Sequence, residues 1–210
     1  MRKLPIYILL DTSGSMRGEP IEAVEAGLLS LLSSLRRDPY AMETVFICVI
    51  TFDREARILS PLAELSQFNL PRIPPLESSP TNLGEALELL CRCYDREVVK
   101  NANDQKGDWL PLAVVMTDGA PSDTQLFEDM CVKIKNYHFG HIIGCAAGPK
   151  AKTEPLSRFA STIVSLETMD SNAFSKFWQW VSLSVSHQSQ STDMVKDDLP
   201  PPPPEIKLAV

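Results

Sequence analysis

A chain of 210 residues, 44% of them hydrophobic, is long enough to bury one substantial core and has the balance of a globular protein. Its formal net charge of -7 excludes the basic face that non-specific nucleic-acid binding requires. The cysteines, Cys48, Cys91, Cys93, Cys131 and Cys145, are odd in number and form no C-x-x-C pair. That usage points to buried free thiols in a reducing, cytoplasmic setting rather than to a disulfide scaffold or a zinc site.

Arg2-Lys3 followed by Leu4 to Leu10 mimics a secretory signal, but Asp11 interrupts the run and no small-residue cleavage site follows. The run reads instead as a central parallel strand over 5–11, and no other stretch reaches membrane-spanning length. Gly18-Glu19-Pro20 opens a helix whose apolar positions Ile21, Val24, Leu28, Leu31, Leu32 and Leu35 keep helical spacing until Asp38-Pro39. Thr44 to Phe52 is a second strand, and Asp53-Arg54-Glu55 turns it into a short antiparallel edge strand, Ala56 to Leu62.

Prolines between 61 and 80 mark an irregular connection, with a short helix expected near Glu64 to Phe68. Asn82 and Glu85 have the spacing of a capping box for a helix that buries Leu83, Leu87, Leu90, Cys91 and Tyr94. Leu110 to Thr117 is another buried strand, followed by a helix from Ser122 to Tyr137. His141 to Ala147 and Thr162 to Leu166 read as strands, with a short helix at Glu154 to Ala160 between them. Ser171 to Ser186 reads as a helix whose aromatic residues spread beyond one stripe. The alternation predicts an α/β fold: a doubly wound, Rossmann-like, mostly parallel six-stranded sheet with one short antiparallel edge strand and helices on both faces. It divides the chain into a domain over 1–186 and a Ser/Gln- and Pro-rich tail over 187–210, where Pro200 to Pro204 favour polyproline II. The tail reads as a flexible segment, with a docking peptide as the alternative.

In an open parallel sheet, ligands are bound at the carboxyl ends of the strands. Asp11, Ser13 and Ser15 stand there and can aim three oxygens at one point, with Gly14 relaxing the backbone between them. Convergent hard oxygens suit a cation such as Mg2+. The competing reading is a helix N-cap cluster, since Ser and Asp are favoured at that position. Thr81, at the start of a middle helix, and Asp118, at the end of a later strand, fall on the same edge if the sheet is parallel. Each alone also fits a cap; together the two carboxylates match the charge of one Mg2+. Glu19, Asp53 and Asp123 are near the same rim and read as solvated or capping residues.

Asp11-Thr12-Ser13-Gly14-Ser15-Met16 resembles the D-x-S-x-S motif of von Willebrand factor A domains. Thr81 in Thr81-Asn82-Leu83-Gly84-Glu85 and Asp118 in Thr117-Asp118-Gly119 resemble the other two parts of their metal-ion-dependent adhesion site, in the family's order, over residues 3–186. The resemblance implies a metal-dependent protein-interaction module that is not an enzyme. Ser13, Ser15 and Thr81 would contact Mg2+, or Mn2+, through their hydroxyls, while Asp11 and Asp118 act partly through waters and by orienting the serines. One coordination position would stay open for an acidic or other anionic oxygen of a partner protein. The chain is also similar to the intracellular bacterial branch, in particular TerY-type tellurium-resistance proteins. That similarity implies a cytoplasmic stress-response signalling system with kinase and phosphatase partners, and neither nucleic acid nor membrane.

The alternative is a Mg2+-dependent phosphohydrolase with Asp11 as nucleophile and Asp118 as metal ligand. Against it, Ser13 stands where haloacid-dehalogenase-like enzymes place a second acid. A third reading puts the working part in the tail, at Pro200 to Val210. The sequence contains no P-loop, no dinucleotide fingerprint after a strand and no nucleophile elbow.

Overall fold

The apolar run Leu4–Asp11 (β1) is buried at every position, and it becomes the middle of the sheet because both its faces can be covered. The computed structural model describes residues 2–73, 80–102, 106–190, 199–204 and 206–208. Around β1 run Val45–Phe52 (β2), Ala56–Glu64 (β3), Leu112–Thr117 (β4), His141–Ala147 (β5), Thr162–Leu166 (β6) and Lys207–Leu208 (β7). Their order in the sheet is β3-β2-β1-β4-β5-β6-β7. Side chains of β1 alternate between two helical layers. Ile6, Ile8 and Leu10 pack with Glu19–Leu35 (α1), Pro39–Thr44 (α2) and Ser171–Gln190 (α6). Tyr7 and Leu9 pack with Leu83–Glu97 (α3), Thr124–Lys133 (α4) and the short helix Glu154–Ser157 (α5).

This sheet corrects the expected six strands with a single antiparallel edge. It has seven strands and two antiparallel pairs, β2 with β3 and β6 with β7. The pairs β1–β2, β1–β4, β4–β5 and β5–β6 are parallel. The seventh strand comes from the proline-rich end, where Ser165 opposes Lys207 and Val164 opposes Leu208. Two residues carry no period that a sequence can display; they are held by long-range contacts. The Trp180 indole donates to the Pro200 carbonyl at 2.8 Å, Ile206 is buried in the core, and Lys207 Nζ pairs with Glu167 at 2.5 Å. Of the expected tail, residues 191–198, 205, 209 and 210 lie outside the described residues.

Local differences have local causes. The helix expected at Glu64 to Phe68 is replaced by the end of β3 and a turn, and prolines 74 and 75 of that connection lie outside the described residues. Asp38 does not merely end α1: it caps α2 by accepting from the Tyr40 amide at 3.0 Å. Asn82 makes no side-chain cap for α3; its amide side chain donates to the Arg54 carbonyl at 2.8 Å. The broad apolar surface of α6 is mostly core, with Phe174, Phe177, Trp178, Trp180, Val181 and Val185 buried and Leu183 exposed. The close approach of α1 and α6 depends on Gly27, where a Cβ would stand 2.3 Å from Trp178 Cδ1. All five cysteines are buried and free.

Candidate functional site

Parallel pairing with β2 and β4 brings the carboxyl ends of three central strands to one edge, and each is followed there by polar residues. Asp11, the last residue of β1, has no exposure. Its Oδ1 accepts the Ser13 amide at 2.8 Å and its Oδ2 accepts the Thr117 hydroxyl at 2.6 Å. The first bond folds the chain back over Asp11, and the second ties it to the end of β4. Burial pushes the Asp11 carboxyl up to about 6; the Ser13 and Thr117 hydrogen bonds oppose the rise, and Asp118 adds to it.

Beyond Asp11, Gly14–Met16 make a turn of 3-10 helix that turns two hydroxyls the same way. Ser13 Oγ and Ser15 Oγ are 3.3 Å apart, and Ser15 Oγ donates to Asp118 Oδ1 at 2.9 Å. The third stretch brings Thr81 beside Gly119. A Cβ on Gly119 would stand 3.2 Å from Thr81 Oγ1, so glycine leaves room for that hydroxyl beside the Asp118 turn. Thr81 is held by Ser122, whose hydroxyl accepts the Thr81 amide at 3.1 Å and whose amide donates to the Thr81 carbonyl at 2.8 Å. The fold thus gathers Asp11, Ser13, Ser15, Thr81 and Asp118 at one edge.

The donors in this cluster are hydroxyl and carboxylate oxygens, the type that hard divalent cations take. Two carboxylates share the site, and among the described residues no Lys, Arg or His forms an ion pair with either. A buried carboxylate without a cation is costly, and Asp11 shows that cost in its raised proton affinity. Among the described residues no group of three or more His, Cys, Asp or Glu is placed to hold a metal, so any ion here must rely on hydroxyls.

Two supporting residues, Thr117 and Ser122, are not singled out by the sequence, and a third, Asp123, is the capping residue that the sequence suggests. Thr117 orients Asp11, Ser122 holds Thr81, and Asp123 caps α3 from a distant segment by accepting the Gly84 and Glu85 amides at 3.1 and 2.8 Å. Thr117 lies inside the Thr117-Asp118-Gly119 motif, Ser122 gives no signal without the topology, and for Asp123 only the topology tells which helix it caps. Asp53 accepts the Glu55 amide at 3.2 Å in its turn, and Glu19 is exposed in the first turn of α1.

A family model described as the von Willebrand factor type A domain matches residues 6–177. No curated protein matches the sequence. Among solved structures, proximal thread matrix protein 1 from the mussel byssus is similar with a TM-score of 0.63 at 13% identity, covering 88% of this chain and 48% of that one. Another structure of the mussel protein, with a zinc-occupied MIDAS motif, has a TM-score of 0.61, 13% identity and the same coverage, 88% and 48%. The SpRpn10 VWA domain is similar with a TM-score of 0.55 at 12% identity, covering 81% of this chain and 93% of that one. At such identities the structural likeness shows the fold. The chain spans about half the length of the mussel-protein structures it matches. Among the described residues no helix is long and apolar enough to cross a membrane.

Proposed function

This chain belongs to the von Willebrand factor type A domain family, and from that premise we propose that it is a protein-interaction module whose binding edge holds a divalent cation, Mg2+ or Mn2+. The ion would be held by Ser13, Ser15 and Thr81, with Asp11 and Asp118 orienting them and balancing its charge. The observation that carries this reading is the meeting of two carboxylates and three hydroxyls from three distant stretches, with no cationic side chain paired to them among the described residues. When bound, the cation supplies a Lewis-acidic point that an anionic oxygen of a protein partner can occupy. The zinc-occupied motif of the mussel protein supports a metal role for this edge.

The module is not an enzyme. A phosphohydrolase would need Asp11 free to attack, yet both of its oxygens are engaged, by the Ser13 amide and the Thr117 hydroxyl, and the side chain is buried. Within the family we place the chain beside TerY-type tellurium-resistance proteins, as a cytoplasmic adaptor for a kinase and a phosphatase. The support for this finer placement is the short first helix connection and the Phe52-Asp53 strand end.

Calorimetry with Mg2+ and Mn2+ on the wild type and on Ser13→Ala tests the reading, followed by partner capture with and without chelator. Saturable binding that the variant loses, with capture lost in chelator, is the expected result. Wild-type protein that takes up neither cation, or capture indifferent to chelator, overturns it.

A further inference from the structure

The opposite end of the sheet carries a second feature, and it stands apart from the metal-edge reading. Val98 to Lys100 leave α3, Leu110-Pro111 enter β4, and His138 precedes β5, so these segments meet at the amino ends of the strands, across the domain from Asp11. They enclose a cavity of about 270 Å3 with apolar walls from Val98, Val99, Trp109, Leu110 and Pro111. A second cavity of about 310 Å3 continues past Lys133 and Tyr137, and the two share Tyr94, Lys100 and His138. Beneath them the Tyr94 ring stands 5.1 Å from both Tyr137, edge-on, and Phe139.

Cations outnumber carboxylates around this groove: Arg2, whose guanidinium lies 3.7 Å from the Trp109 ring centroid, Lys3, Lys100 and Lys133 stand against Asp95 and Asp108. Asp108 is consumed internally, accepting the Lys3 and Val99 amides at 2.9 Å each and pairing with Lys3 Nζ at 3.5 Å. Asp95 is exposed and accepts the Tyr137 hydroxyl at 2.8 Å, a neutral donor that leaves its negative charge in place. Lys100 and Lys133 are exposed and form no ion pair among the described residues; the Lys100 ammonium hangs 5.9 Å from the Tyr94 ring centroid. Among the described residues, two lysines outside any ion pair, with Arg2 beside them and Asp95 as the one exposed carboxylate, give this end of a chain of net charge -7 a local excess of positive charge beside an apolar slot.

We propose that this groove docks an acidic peptide segment of a partner protein. One apolar side chain fills the slot against Trp109 and Val99, and the carboxylates flanking it meet Lys100 and Lys133. An apolar pocket with few polar groups at its rim is the general form of a side-chain binding site, and charges there set sign preference and on-rate. With the metal edge at the carboxyl ends of the strands, the domain would hold two partners at once on opposite ends.

The test uses the full chain in excess EDTA, so that a failure of the metal reading leaves it untouched. The probe is a short fluorescein-labelled peptide of alternating Glu and Leu, followed by anisotropy and by the NMR signal of the Trp109 indole. Saturable binding with a shifted Trp109 signal is expected. Affinity should fall at least about tenfold in the Lys100→Glu, Lys133→Glu double variant, and on replacing every peptide Glu by Gln. Wild-type protein that ignores the peptide overturns the proposal. So does a double variant that binds equally well, a Trp109 signal that does not move, or a single-stranded oligonucleotide that binds there in place of the peptide.

Discussion

The Ser15 hydroxyl donates to Asp118 Oδ1 across 2.9 Å, although 103 positions separate the two residues. That bond joins the loop after β1 to the loop after β4, and it is possible because those strands pair in parallel with Leu10 opposite Met116. Both residues are at least partly open to solvent, so their roles in ion binding and in folding can be separated. Ser15→Ala and Asp118→Ala should each weaken Mg2+ binding by about tenfold or more, as loss of an orienting partner does at metal sites. Metal-free unfolding should stay within about 1 kcal/mol of wild type. Titration calorimetry and urea melts in EDTA check the two halves, and unchanged affinity in both variants removes these residues from the site.

Asp11 sets a pH dependence. Its carboxyl is raised from 3.8 to about 6 in the folded protein, chiefly by burial. A raised acid contributes stability that is fully present below its unfolded value and lost as pH rises through its folded value. Metal-free wild type should therefore gain about 1 kcal/mol relative to Asp11→Asn between pH 7 and pH 5. Paired denaturant melts in EDTA measure the difference. A difference that does not change with pH would falsify the burial assigned to Asp11.

Gly27 is required by the contact between α1 and α6. A Cβ would fall 2.3 Å from Trp178 Cδ1, and Trp178 is wholly buried and cannot retreat. Gly27→Ala should cost about 1–3 kcal/mol of stability despite the better helix propensity of alanine. Leu29→Ala, two positions on and 57% exposed, is the control and should stay near about 0.5 kcal/mol. Thermal melts of the two variants give the comparison.

Asp123 holds the start of α3 from outside that helix, through the Gly84 and Glu85 amides. Asp123→Ala should cost about 1–2 kcal/mol, the scale of a lost N-cap. Hydrogen exchange should show the loss concentrated at the first turn of α3, next to Thr81. Glu85→Ala should have little effect, because the capping box read from sequence does not form.

Ile206 anchors the returning end of the chain in the core beside α6. Ile206→Ala should destabilise by about 2–4 kcal/mol, whereas truncating an unattached tail residue would cost nothing measurable. Protection of the β6 amides against exchange should fall in parallel. Full stability in the variant would show that the β6–β7 pairing contributes nothing.

The sequence by itself determined the elements whose burial repeats along the chain. Leu4 to Asp11 and Val45 to Phe52 are apolar at nearly every position, which only a strand covered on both faces requires, and α1 shows its period in Val24, Leu28 and Leu31. It also displayed the polar motifs at the strand ends, because each is a short contiguous stretch. Tertiary structure alone decided what crosses between stretches: Thr117 on Asp11, Ser122 under Thr81, Asp123 in place of Asn82 at the cap, and Lys207–Leu208 as a seventh strand. Periodicity records how a residue relates to its neighbours in the chain. These contacts join groups 38 to 106 positions apart, and nothing in local spacing encodes which distant group will arrive.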